Sequence, residues 1–172
     1  MSRLRPVIAT LLTFIALTAQ GGDTSLQAGD VFPVTSLENQ HGQPITIDDQ
    51  TQRVLFTADM AGGKVVRALL DERENAAERL TSARAIYLSD VSGMPSLIRK
   101  MMALPAMRKR PYPIMLDIEG VVSAALPRQE DAVTVIELEK LTVTSLRFTT
   151  SPAELAKAIG LEETMEKAAP VK

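Results

Sequence analysis

The stretch from Arg53 to Leu80 most constrains what this chain can fold into. The apolar run "RVLFTA" has the length of a buried strand, breaks at Gly62-Gly63, and gives way to apolar residues at helical spacing: Val65, Val66, Leu69, Leu70, Ala76, Ala77 and Leu80. Acidic and basic residues fill the other face, so the spacing predicts an amphipathic helix from Lys64 to Leu80 that starts at the glycine turn. A strand handed through a tight turn to such a helix is the building step of α/β folds.

The rest of the chain repeats the alternation. "LQAGDVFPVT" reads as an extended start and "SLENQHGQPITI" as two short strands about a turn at His41-Gly42. "ARAIYLS" is a strand, "SLIRKMMAL" a helical stretch interrupted by Pro105, "YPIMLD" another strand, and "EGVVSAAL" a short helix. "AVTVIELEKLTVTSLRF" divides into two strands near Glu139-Lys140. In "SPAELAKAIG", Ser151 has the place of an N-cap, Pro152 the first helical position, Glu154 the third, and Gly160 the position past the end. The predicted fold is an α/β sandwich with a central mixed sheet flanked by helices. "RVLFTA", "ARAIYLS", "PIMLD" and "AVTVIE" should lie side by side, in one domain spanning residues 28–160 and followed by a frayed tail over 161–172.

The first 21 residues have a different character. Arg3 and Arg5 precede an uncharged, mostly apolar run from Val7 to Ala19, and small and polar residues follow. This is the layout of a secretory signal peptide, and the run is shorter than the about 20 residues that cross a bilayer. The chain is therefore expected to be exported, to the periplasm, and trimmed after Ala19 or Gly21. Loss of two arginines would leave the domain more acidic than the formal net charge of −2.

Composition closes off several classes of function. There is no cysteine, so an exported domain here has no disulfide staples, although about 150 residues can bury a sufficient core without them. Aromatics make up 3% of the 172 residues, with no tryptophan, which argues against stacking platforms for nucleic acid. His41 is the one histidine, so no His-rich metal site is available, and neither a metal nor a cofactor is expected. In its predicted turn His41 reads as a solvated side chain.

Short patterns along the domain resemble those of the redoxin group of thioredoxin-like proteins, which includes peroxiredoxins, thiol-specific antioxidant proteins and periplasmic thioredoxin-like proteins. They are "AGDVFP", then "SLENQHGQPITI", then Phe56, Thr57 and Ala58 as an F-x-A segment before the turn "DMAGGK", and finally "YPIMLDIEGVVSAAL" and "AVTVIELEKLTV". The resemblance implies a thioredoxin-type fold with an N-terminal hairpin and a middle insertion. It also implies that Ala61 stands where the nucleophilic cysteine would be and Lys64 where its partner would be. Asp131 or Ala132, in "QEDAV", takes the place of the cis-proline that such proteins pack against the cysteine pair. The expected site residues are accordingly Asp59, Met60, Gly62, Gly63, Lys64, Asp131 and Ala132, as a binding surface with no catalytic residue, since thiol exchange needs a thiolate.

Two features leave alternatives open. "GGK" at a helix start fails the phosphate-loop pattern, because Ala58 replaces the first glycine and Val65 the hydroxyl residue. It is either a plain structural turn or an anion site made of free N–H groups and Lys64. From Val91 to Leu116 there is no acidic residue but there are five bases, with Met94, Met101, Met102 and Met107 among them. One reading is a core-packing helix with its bases to solvent. A second is a docking surface of Arg99, Lys100, Met101, Arg108, Lys109 and Arg110 for an envelope protein or an anionic membrane. A third, methionine ligation of copper(I), has neither a regular M-x-x-M repeat nor a helping histidine or cysteine behind it. The expected function is that of an exported binding or accessory module. An enzyme or small-molecule binder with a site rebuilt without thiols is the alternative.

Overall fold

The computed structural model describes residues 25–71 and 73–161, so the predicted leader lies outside the described residues, as does the tail beyond Leu161. A five-stranded sheet in the order β5-β4-β3-β6-β7 forms the centre. Its strands are β3 (Arg53–Thr57), β4 (Ala85–Asp90), β5 (Met115–Asp117), β6 (Val133–Glu139) and β7 (Thr142–Thr149). β3, β4 and β5 run parallel, while β6 is antiparallel to β3 and β7 to β6. Leu55 in the middle of β3 pairs with Tyr87 on one side and Val135 on the other. All four predicted strands are therefore neighbours in one mixed sheet.

Alternation along the strands divides the core in two. Leu55, Tyr87, Val133 and Val135 face a cluster built from α1 (Met60–Leu70), α2 (Ala76–Ser82) and α5 (Pro152–Ala158), through Val66, Leu69, Leu70, Leu80 and Leu155. Val54, Phe56, Leu88 and Ile136 face the opposite cluster, closed by Phe32 and by Ile47 of the hairpin β1 (Thr35–Glu38) and β2 (Pro44–Ile47). In the hairpin turn, the side-chain oxygen of Asn39 accepts from the amides of His41 and Gln43 at 2.8 and 3.0 Å. Gln40 is buried and stitches the turn to the segment before β5. Its amide nitrogen donates to the Tyr112 carbonyl and its oxygen accepts from the Ile114 amide, each at 2.8 Å.

Two expectations are corrected. The helix predicted from Lys64 to Leu80 is two helices, and the first opens at Met60, with both glycines inside its first turn. The break follows from "DEREN", which offers the core nothing apolar, and from Asn75, which turns the chain through the left-handed region at φ 63°. Pro105 does not interrupt its helix. The run Ser96–Ile98 (α3) widens into a π-turn over Arg99–Ala103 and continues as α4 (Leu104–Met107), with the Leu104 amide bonded to the Arg99 carbonyl. Widening one turn upstream accommodates a residue that lacks an N–H and whose ring would strike the Met101 carbonyl. At the two ends of the described chain, the Leu26 amide bonds to the Ala125 carbonyl, and Leu161 is buried with its amide on the Ala156 carbonyl.

The local signals at the C-terminal end correspond to the structure. β6 turns into β7 through Lys140 and Leu141, both left-handed, as a two-residue hairpin turn requires. Ser151 caps α5 by accepting from the Glu154 amide at 3.3 Å. The Glu154 carboxylate reaches back to the Thr149 hydroxyl, which itself accepts from the Ser151 amide, so the capping loop closes through an added side chain.

Candidate functional site

The parallel strands β3, β4 and β5 end at the same edge of the sheet, where ligand sites of α/β sheets collect. At this edge Asp59 is the N-cap of α1. One oxygen of its carboxylate accepts from the Gly62 amide at 2.7 Å, as an N-cap should. The other accepts from the Asp131 amide at 3.0 Å, across the sheet end. A single carboxylate therefore ties "DMAGGK" to the loop before β6. The two loops touch behind it: a Cβ on Gly62 would stand 2.4 Å from the Ala132 carbonyl oxygen, a close approach that requires glycine. Asp131 itself has a left-handed backbone at φ 60°, and no peptide bond among the described residues is cis.

In front of this junction lies a cleft of about 460 Å³. Its floor is the end of β4 and its walls are the start of α1 and the loop after β4. The sequence-predicted residues Asp59, Met60 and Gly63 line it. Gly62 and Ala132 are buried in the junction, Asp131 is exposed, and Lys64 points to solvent outside the cleft. Ala61 is half-buried.

Sequence reasoning missed the polar side chains of the cleft, which are Arg67, Tyr87, Ser89, Asp90, Ser92 and Arg128. Tyr87 is buried, its hydroxyl 3.3 Å from the Thr57 hydroxyl, which in turn donates to Ser89 at 3.5 Å. Burial pushes the Tyr87 hydroxyl up from its ordinary pKa, against the opposing hydrogen bond of Thr57 and charge of Arg67, so it remains a neutral donor. Asp90 accepts from the Ser92 hydroxyl at 2.6 Å and its amide at 2.9 Å, with an Arg128 nitrogen 3.6 Å away. Arg128 also donates to the Ser123 carbonyl and lies 5.8 Å from the centre of the Phe56 ring. One signal for these residues is present in the sequence: "YLSD" ends a parallel strand, and the carboxyl ends of such strands are where sites form.

Partial burial raises the Asp90 pKa, but the Ser92 hydrogen bonds, Ser123 and Arg128 together outweigh it and hold the carboxyl below its ordinary value of 3.8. A group depressed in the folded state contributes stability above its unfolded pKa and loses it as pH falls through the folded one. Urea midpoints of the parent should therefore drop more steeply than those of Asp90→Asn as pH falls below about 5. Parallel pH curves would show that these contacts do not hold in solution.

The basic, methionine-rich segment divides. The Arg99 guanidinium donates to the Val91 and Met94 carbonyls, Arg108 to the Gln40 carbonyl, and Arg110 pairs with Asp71, which also accepts from the Tyr112 hydroxyl at 2.7 Å. These three arginines hold the fold together. The side chains of Lys100 and Lys109 are exposed and make no hydrogen bond or ion pair among the described residues. Only Leu104 and Met107 of this helical run pack against the core, whereas Leu97, Ile98, Met101 and Met102 are exposed. The core-packing reading thus fails for most of the run.

No family model matches the sequence, and no curated protein matches it. Solved structures do. Peroxidoxin BcpB from Mycobacterium tuberculosis is 18% identical with a TM-score of 0.52, over 79% of this chain and 96% of the other. A candidate protein disulfide isomerase from Bacteroides thetaiotaomicron is 16% identical with a TM-score of 0.53, over 79% and 90%. A candidate thiol:disulfide interchange protein DsbE from Chlorobium tepidum is 15% identical with a TM-score of 0.50, over 79% and 100%. With the hairpin, the mixed sheet and the β3-turn-α1 junction already in place, these likenesses give the chain a thioredoxin-like fold, in a sequence that contains no cysteine.

Proposed function

We propose that the protein is an exported, periplasmic binding module of the cell envelope whose contact surface is the carboxyl end of its sheet. The observation that carries this reading is the double hydrogen bond of Asp59. In a chain with no thiolate, the junction between "DMAGGK" and the "EDA" loop is still closed and still presents Met60, 71% exposed, at the mouth of a cleft. Thiol exchange is not open to such a site, whereas contact with a partner is. The Arg3/Arg5 leader pattern supports export. Among the described residues no helix is long and apolar enough to cross a membrane. The exposed stripe of Leu97, Ile98, Met101 and Met102, with Lys100 beside it, supports a second contact to a partner protein or an anionic membrane face.

A second reading, a thiol-independent site for a small molecule, is favoured by the cleft itself, whose volume lies in the range of about 300–1,000 Å³ typical of ligand pockets. The test of the first reading places a photo-reactive amino acid at Met60, at Met101 and, as a control, at exposed Thr144 on β7 in the chain expressed with its own leader. The expected result is a trimmed protein, shorter by about twenty residues, in the envelope fraction, with discrete adducts at Met60 and none at Thr144. Full-length protein in the cytosol, or identical adducts at all three positions, would overturn the proposal.

A further inference from the structure

Two carboxylates, Asp59 and Asp90, and two guanidinium groups, Arg67 and Arg128, line the cleft, and one of the four has its hydrogen-bonding groups unspent. Asp59 spends both carboxylate oxygens on backbone amides, and Asp90 and Arg128 face each other. Arg67, among the described residues that line the cleft, is the cation whose guanidinium makes no hydrogen bond or ion pair. Its side chain runs back along α1, so that one terminal nitrogen lies 3.2 Å from the point where a Gly63 Cβ would be, with the Tyr87 hydroxyl 3.6 Å from the same point. The anion at the positive end of this eleven-residue helix is the Asp59 cap, and both of its oxygens are held by amides, so it offers the Arg67 guanidinium no hydrogen bond. The absence of a side chain at Gly63 is what leaves room for that guanidinium.

We propose that the cleft binds a small monocarboxylic acid with a short aliphatic tail, the carboxylate on the Arg67 guanidinium and the tail against the thioethers of Met60, Met94 and Met107. The proposal rests on the sheet-end cleft being the contact surface. A planar guanidinium with its donors unspent matches a carboxylate fork to fork. Methionines adapt to a flexible apolar chain. A phosphate dianion fits less well, because one unpaired cation would face it while the carboxylates of Asp59 and Asp90 line the same cleft.

The test follows the amide resonances of Gly63, Ser92 and Gly93 in the intact protein while sodium hexanoate, hexanol or inorganic phosphate is added. Hexanoate should give saturable shifts at these amides in the millimolar range, hexanol and phosphate much smaller ones. Arg67→Met should weaken hexanoate binding at least about tenfold, with Arg67→Lys in between because it keeps the charge and loses the fork. Lys64→Met, outside the cleft, should bind as the parent does. Hexanol shifting the same amides as strongly as hexanoate, phosphate binding as tightly, or folded Arg67→Met binding unchanged would each overturn the carboxylate assignment. So would silence from all three probes. Adducts at Met60 in the cross-linking experiment would then still stand for a cleft that contacts a protein, so the two proposals fail separately.

Discussion

Replacing Gly62 by alanine should destabilise the protein by about 2–3 kcal/mol, the upper part of the range for a methyl group forced into a packed site. The new Cβ would meet the Ala132 carbonyl oxygen at 2.4 Å, and both contacting groups are backbone. Neither side yields easily. The Gly62 amide is held by one oxygen of Asp59, and the residue before Ala132 is held by the other, so any movement that relieves the clash breaks a hydrogen bond of the same carboxylate. Gly93→Ala is the control, because a Cβ there meets nothing within 4 Å and its backbone is not left-handed. It should change stability by less than about 0.5 kcal/mol. Urea unfolding of the three proteins measures both numbers. An unchanged midpoint for Gly62→Ala would mean that the loop before β6 stands away from α1 in solution, and the site built on their junction would fall.

Leu70→Ala should cost about 2–5 kcal/mol, the range for emptying a leucine from a filled core. Leu70 has no exposed surface and closes the last turn of α1 against the cluster that holds Leu55, Val135 and Leu155. The following segment passes through Asn75 in a left-handed turn, which fixes the end of α1 and limits how far the helix can sink into the space left behind. Lys64→Ala on the solvent side of the same helix separates loss of packing from loss of helix. Lysine and alanine are both good helix formers, and that change should stay within about 0.5 kcal/mol. Thermal and urea unfolding should agree on the order Leu70→Ala far below the parent and Lys64→Ala beside it. A Leu70→Ala protein that melts with the parent would contradict the packing of α1 on the sheet.

The sequence by itself determined the elements whose signals are local. An apolar run of strand length, a pair of turn residues, and a serine followed by proline and glutamate each act on their immediate neighbours. The strands around Leu55 and Val135, the hairpin about Gly42 and the capped helix at Ser151 are therefore legible in the order of residues alone. The absence of cysteine is equally plain, and with it the absence of any thiol at the end of β3. What only the tertiary structure decided depends on groups far apart in the chain. Gly62 and Gly63 read as a turn, yet they lie inside a helix: Gly62 answers the carbonyl of Ala132, and Gly63 leaves room for Arg67 and Tyr87. The basic segment reads as one surface, but Arg99, Arg108 and Arg110 are taken up by carbonyls and by Asp71, while Met101 and Met102 remain outside. The cleft residues Arg67, Tyr87, Asp90 and Arg128 carry no motif, because strand pairing and helix packing, which act across long sequence separations, are what bring them together.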